Sequence, residues 1–309
     1  MIDVLLSTYC GERYVAEFIA SLELQTYRDF RLLTRDDGSG DATAEVVRDA
    51  AAKAGISAVF ASSFGKHLGV VGSFGDLLAQ SSGNYIMFAD QDDVWHRDKI
   101  EEMLKRMREA EERYGAGTPI LLHSDLRVCD HRGAVMAESF MCYQRISPRN
   151  DSFAELLIQN NVTGCAMMIN RALRELIRLP FPQEAICHDW YTALIASAFG
   201  RIVFADTAYV DYRAHGDNVF GPHRYGIADW FGSFRTGRSD LNRRLVLTQR
   251  QAGAFLRQYG DRLDKADRDK AAAWAGIGGR SKIGRVAACL GSGFRKNTAL
   301  RTLGMWWAI

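Results

Sequence analysis

The chain has 309 residues, 47% of them hydrophobic and 25% charged, a balance that supports a sizeable core in one large or two modest domains and argues against overall disorder. Thirty-nine Lys and Arg against 37 Asp and Glu leave a net charge of +2, which makes no global electrostatic case for nucleic acid. No run reaches the length of a membrane helix, and the first 20 residues, broken by Asp3, Glu12, Arg13 and Glu17, lack the form of a signal peptide. The six cysteines, never closer than 13 apart and without a CxxC clip, read as free thiols of a reducing cytoplasm.

Residues 2–6 predict a first strand that ends at Ser7-Thr8. Val15, Phe18, Ile19 and Leu22 then recur at helical spacing, and Phe30-Arg31-Leu32-Leu33 forms a second apolar run. It stops at Asp36-Asp37-Gly38-Ser39-Gly40, after which Asp41 is placed to cap a helix carrying Val46, Val47, Ala50, Ala51 and Ala54. A short strand follows at 57–61, a helix at 72–81, a strand at 85–89 and an amphipathic helix at 98–113 with Ile100, Met103, Leu104 and Met107 inward. This β-α-β-α alternation predicts an α/β fold. Further on, strands are expected at 120–124, 164–169 and 202–213, and helices near 152–159, 170–178 and 189–199. Beyond Gly216 the apolar content drops, Gly and Arg become frequent, and no strand is expected. The division falls between 1–220 and 221–309, with the boundary near 216–240.

Two acidic groups follow strands, where an alternating α/β sheet exposes its active edge. Asp36-Asp37-Gly38-Ser39 is either a polar strand-to-helix turn or a place where a carboxylate accepts hydrogen bonds from a base or ribose; spacing alone leaves both open. Asp90-Gln91-Asp92-Asp93 crowds three carboxylates into four residues, and a divalent metal is the economical explanation, with a solvated acidic turn as the alternative. Asp189, in His188-Asp189-Trp190, opens an apolar helix either as a dipole-favoured acid or as a general base. His215, in Tyr212-Arg213-Ala214-His215-Gly216, follows a strand and precedes a Gly-rich segment from which it can reach a metal.

In order and spacing, Ser7-Thr8-Tyr9 with Gly11-Glu12, Asp36-Asp37-Gly38-Ser39, Asp90-Gln91-Asp92-Asp93-Val94-Trp95, Thr163-Gly164-Cys165, His188-Asp189-Trp190 and Tyr212-Arg213-x-His215 resemble family 2 glycosyltransferases with the GT-A fold. The resemblance covers about residues 2–220. Its DQDDVW and HDW forms are similar to the bacterial rhamnosyltransferase-like branch acting on cell-surface polysaccharides. It implies a Rossmann-like α/β/α nucleotide-sugar-binding domain, here with a mainly helical C-terminal extension. It further implies a metal-dependent, inverting transfer of a sugar, rhamnose favoured, from a nucleoside diphosphate donor to a saccharide or lipid-linked acceptor. The donor would be dTDP-rhamnose or a UDP-sugar, and the cofactor Mg²⁺ or Mn²⁺. Ser7, Thr8, Tyr9, Glu12 and Asp37 would serve the nucleotide-sugar pocket, with Asp37 on the base or ribose. Asp90 would support the sugar or the metal shell, Asp92 and His215 would ligate the metal, and Asp189 would be the catalytic base. Two positions depart from the family pattern: Cys10 stands where Asn is usual, and His67-Leu68-Gly69 replaces a common Asn-x-Gly. They bear on donor affinity and base choice more than on activity.

A Rossmann dehydrogenase fails on its fingerprint, because Thr43 stands where a Gly or Ala is needed after Gly38-Ser39-Gly40. A sugar nucleotidyltransferase usually carries a Gly-rich basic loop that Ser7 to Arg13 lack, and a non-catalytic scaffold should first lose the carboxylates, which are all present. Residues 271–309 hold Arg280, Lys282, Arg285, Arg295, Lys296 and Arg301 and no acid, a charge of +6. Together with Leu290, Phe294, Leu300, Leu303, Met305, Trp306 and Trp307 they suggest binding to an anionic membrane surface, with the protein peripheral on the inner face. The competing expectation is a helical subdomain, broken by Gly284, Gly291, Gly293 and Gly304, that packs on the first domain or on another subunit.

Overall fold

The computed structural model describes residues 1–214 and 227–309, with the backbone alone for 227–240. Its first half alternates β1 (Ile2–Thr8), α1 (Val15–Glu23), β2 (Phe30–Asp36), α2 (Thr43–Lys53), β3 (Ala58–Phe60), α3 (Gly69–Gln80) and β4 (Tyr85–Asp90). Then come β5 (Val94–Trp95), α4 (Lys99–Tyr114), β6 (Ile120–Cys129), β7 (Val135–Ala137), α5 (Phe140–Gln144), α6 (Phe153–Leu156), β8 (Met167–Asn170), α7 (Arg171–Leu176), α8 (His188–Phe199) and β9 (Arg201–Arg213). Helices close the chain: α9 (Ile227–Tyr259), α10 (Lys265–Ala275), α11 (Lys282–Ser292) and α12 (Ala299–Ala308).

The strands form one sheet in the order β3-β2-β1-β4-β8-β6-β9-β5, with β7 on the edge of β6. β3, β2, β1 and β4 run parallel, β8 is antiparallel to β4 and β6, and β9 is parallel to β6. Strand period sorts β1 between two cores: Ile2, Val4 and Leu6 face α1 and α4, whereas Leu5 faces the core that contains Phe74 of α3 and Tyr191 of α8. The second core continues into the C-terminal helices through Phe255, Trp274, Phe294, Met305 and Ile309. Among the described residues no helix is long and apolar enough to cross a membrane.

The expected alternation is present, and the differences have local causes. The strand expected at 164–169 starts only at Met167, because Gly164–Ala166 form a 3₁₀ turn against the start of α8. The helix expected at 72–81 begins at Gly69 because Asp37, far away in sequence, accepts the Leu68 and Gly69 N–H groups at 2.6 and 2.9 Å and caps it. β5 and β7, of two and three residues, are too short to leave a period.

Candidate active site

In the parallel half, β2 and β3 lie on one side of β1 and β4 on the other, so a crevice opens at the carboxyl ends of β1 and β4. Ser7 pairs in register with Asp90 across it. The Gln91 side chain bridges the crevice above that pair, accepting from the Tyr9 N–H and donating to the Tyr9 carbonyl, both at 2.9 Å. Gly11 makes room for this clamp, since a Cβ there would meet Gln91 Oε1 at 2.1 Å. Tyr9 is left 52% exposed, its ring 5.4 Å from that of His67. His67 Nδ1 faces only acceptors, the Asp37 carboxylate at 3.0 Å and carbonyl at 3.1 Å. That fixes the proton on Nδ1 and leaves Nε2 an acceptor in the neutral ring.

The other candidates around the nucleotide loop bond inward. Thr8 donates to Asp36 at 3.0 Å, and Glu12 accepts the Ala42 N–H at 2.9 Å, stapling the loop to the start of α2. Asp37, only 4% exposed, also accepts from buried Arg35 at 2.5 Å. Burial works to raise the Asp37 carboxyl, but hydrogen bonds from Leu68, Arg35, Gly69 and Ser73 outweigh it and hold the group below the usual carboxylate range.

Beyond β4 the acids converge. One ligand atom each of Asp90, Asp93 and Cys165 lie within 4.8 Å of one another. Burial, followed by the charges of Asp92 and Asp189, raises the Asp90 carboxyl to about 7 against the opposing pull of Lys99 and Cys165. Burial, then Asp92 and Asp90, pushes Asp93 well up as well. Asp93 Oδ2 is buried without a hydrogen bond. Two crowded carboxylates and an orphaned oxygen are what a hard divalent cation satisfies, so the residues fit Mg²⁺ or Mn²⁺. The Cys165 thiol, held protonated by burial and by Asp93 and Asp90, lines this place as a poor partner for such an ion. Asp92 sits beside the cluster with its carbonyl accepting from Arg213 Nε at 3.0 Å. Arg213 also donates through Nη2 to Glu17 at 2.6 Å and through Nη1 to the His131 carbonyl at 3.2 Å, tying the end of β9 to the acidic loop. His215, two residues on, lies outside the described residues.

Asp189 stands in the first turn of α8. Its Oδ2 accepts the Gly164 N–H at 2.9 Å, and its Oδ1 accepts from Asn160 Nδ2 at 3.3 Å and from the Trp190 N–H. A Cβ on Gly164 would meet His188 Nε2 at 2.7 Å, so only glycine lets the turn come this close. Asp189 is among the charges that raise Asp90, which puts the two carboxylates on one site. His188 itself is buried, stacked on Phe74 with ring centroids 3.9 Å apart, and burial lowers it to about 4. Sequence reading did not single out Arg35 or Lys99, and it quoted Gln91 within the acidic motif without giving it a role. A lysine inside an amphipathic helix start and an arginine inside a strand give no pattern signal, because their partners come from elsewhere in the fold.

An α/β/α sandwich that gathers acids at the carboxyl edge of its parallel strands defines a GT-A-type, nucleotide-sugar-dependent transferase. The pattern described as glycosyl transferase family 2 matches residues 3–177, more than half of the chain, and the chain belongs to that family. It is similar to a UDP-glucose:α-D-GlcNAc-diphosphoundecaprenol β-1,3-glucosyltransferase of Escherichia coli, 24% identical over 63% of this chain and 70% of that protein. An uncharacterized glycosyltransferase of Nostoc is 30% identical over 34% of this chain and 32% of its own. Among solved structures, Staphylococcus aureus TarS 1-349 in complex with UDP-GlcNAc has a TM-score of 0.54 at 15% identity, over 99% of this chain and 90% of that chain. A Pyrobaculum calidifontis mannosyltransferase in complex with GDP-Man and Mn²⁺ has a TM-score of 0.52 at 16% identity, over 99% and 84%. These structures share the fold. The protein is thus a glycosyltransferase of the family 2 type.

Proposed function

We propose that the protein is an inverting, divalent-metal-dependent glycosyltransferase that moves a sugar from a nucleoside diphosphate to a hydroxyl of a growing cell-surface polysaccharide or lipid-linked oligosaccharide. The observation that carries this reading is the convergence on one turn: Asp189 accepts the Gly164 N–H at 2.9 Å, and the next residue, Cys165, is clustered with Asp90 and Asp93. Asp90 and Asp93, with Asp92 and His215 from the family resemblance, would hold the cation. When bound, the cation offsets the charge that develops on the departing nucleoside diphosphate. Ser7 and the exposed ring of Tyr9 border the nucleotide, and Asp37 orders the base-side loop through His67, Leu68 and Gly69. Asp189 takes the proton of the acceptor hydroxyl, and a single displacement with one base on the acceptor side inverts the anomeric carbon. The hydrogen bonds from Gly164 and Trp190 hold its carboxylate in place for that step.

The donor is the finer question. The family branch that the motifs resemble favours dTDP-rhamnose, whereas the E. coli relative is named for UDP-glucose; we take a UDP-hexose first and dTDP-rhamnose as its rival. One methyl on the base is worth little discrimination. A donor panel of UDP-glucose, UDP-GlcNAc, GDP-mannose and dTDP-rhamnose, scored by released nucleoside diphosphate with Mn²⁺, with Mg²⁺ and with chelator, tests the reading. Release from one donor class that stops on chelation is expected. Robust turnover in chelator overturns the metal role, and rhamnose transfer without UDP-sugar turnover reverses the donor order.

A further inference from the structure

Lys99 opens α4 and is fully buried. Its Nζ sits 3.4 Å from the centre of the Trp95 ring and donates to the Cys165 carbonyl at 2.5 Å. Cys165 belongs to the Gly164–Ala166 turn, and in the same turn the Gly164 N–H holds Asp189 Oδ2 at 2.9 Å. One side chain, reached by no solvent, therefore grips the turn from below while the turn grips the carboxylate from above. A buried ammonium is costly to keep unless it is hydrogen-bonded and paired, and here the Cys165 carbonyl, the Trp95 ring and the nearby Asp93 and Asp90 offset that cost. A methionine would fill the same space over Trp95 without the desolvation, so packing alone does not explain a lysine here.

We propose that Lys99 is a positioning residue that, through the Gly164–Ala166 turn, sets the place of the Asp189 carboxylate opposite the donor site. The inference rests on Asp189 acting as the base. It separates Lys99 from the acidic residues beside it: they hold the donor half of the site, and Lys99 orders the acceptor half.

The test is Lys99→Met in the full-length protein, with kcat, donor KM and Mn²⁺-dependent UDP binding by calorimetry read side by side. A displaced base should lower kcat by ~10- to 100-fold. Donor KM should stay within about threefold. Mn²⁺-dependent UDP binding should stay within about threefold of the unaltered protein, since losing the Lys99 charge strengthens the field that attracts Mn²⁺ but also favours protonation of Asp90 and Asp93. On an Asp189→Asn background, Lys99→Met should cost little more, because both changes disable one step. An unchanged kcat, a parallel loss of kcat and of UDP binding, or a full further loss on the Asp189→Asn background overturns the proposal. If Lys99→Met does not fold, Gly164→Ala displaces the same turn from the His188 side with Lys99 intact. The same split between kcat and UDP binding is then expected, and a normal kcat overturns the proposal. Normal turnover by Asp189→Asn alone would instead reject the base assignment, an outcome distinct from a failure of Lys99.

Discussion

The acids at the carboxyl edge of the sheet and the cations of the C-terminal helices are both dense, but they end differently. At the sheet edge the acids outnumber the cation beside them: burial and neighbouring acids push Asp90 and Asp93 up against the pull of Lys99, and Asp93 Oδ2 has no hydrogen bond. In the C-terminal helices four of the six cations are bonded within the fold. Lys282 donates to the carbonyls of Trp306 at 2.7 Å and Trp307 at 2.8 Å and to that of Ile309, where the dipole of α12 is negative. Arg285 closes on the Arg280 and Gly278 carbonyls, Arg301 on those of Gln144 and Arg145, and Arg295 pairs with Glu155 at 2.7 Å. An acidic cluster at a strand end that one lysine does not balance calls for a ligand, whereas charge placed on helix-end carbonyls is architecture.

The strongest way to break that contrast is at the base. Asp189→Asn keeps the shape and the contact to Gly164 but removes the basicity, so transfer should fall by on the order of a hundredfold or more while donor binding is kept. Near-normal turnover in single-turnover assays would reject the role. Next comes the metal set, where the sequence resemblance favours Asp92 and the geometry gathers Asp93. Asp92→Ala should abolish the Mn²⁺ enhancement of UDP binding, and Asp93→Asn should reduce it by roughly tenfold. Calorimetry that finds Asp93 indispensable and Asp92 dispensable would exchange their places.

How far the sequence announced this site depends on the distance between partners. The strand ends at Asp36 and Asp90 and the helix start at Asp189 are local events, marked by turn residues after apolar runs, and they stand where the alternation predicted. Arg35 and Lys99 were silent because burial of a charged side chain is a tertiary event: Arg35 meets Ser63, Ser73 and Asp37 only once β2, α3 and the loop before α3 come together. The helical character of the C-terminal extension was legible, but not the 33-residue length of α9, whose Gly and Arg content reads as irregular chain until α10 and α12 cover it. His215 was expected as a metal ligand and lies outside the described residues, so its place in the site stands as part of the proposal.

A smaller effect sharpens the other side of the contrast. If Lys282 is architectural, Lys282→Met should cost about 1 kcal/mol through the lost cap on α12 and lower the melting temperature by about 2 °C. Mn²⁺-dependent UDP binding should be unchanged, because the carbonyls it holds belong to the end of α12 and not to the acidic cluster. A matching fall in UDP binding would mean that the C-terminal helices shape the donor site.

The weakest expected effect concerns the membrane surface. On α11, Ile283 is 84% and Leu290 64% exposed, seven residues apart and so on one face. On α12, Leu300, Leu303 and Trp307 form a second exposed stripe, and the bonds from Lys282 to the end of α12 bring the two helices together at one junction. Cations bonded to carbonyls keep their charge, so the apolar stripes still lie in a basic field, and a shallow hold on anionic lipid is the expected consequence. Ending the chain near residue 278 would be a poor test, since Cys289, Phe294, Met305 and Ile309 belong to the core shared with the sheet. Ile283→Glu with Leu290→Glu changes only the exposed face. In flotation with anionic vesicles the unaltered protein should rise weakly at low salt and be released as salt is added, because exposed charges are screened beyond about 10 Å at 0.1 M. The double variant should stay in solution and still bind UDP with Mn²⁺. Unaltered protein that ignores anionic vesicles would leave the C-terminal helices with packing as their whole role, and the contrast with the acidic edge would then be complete.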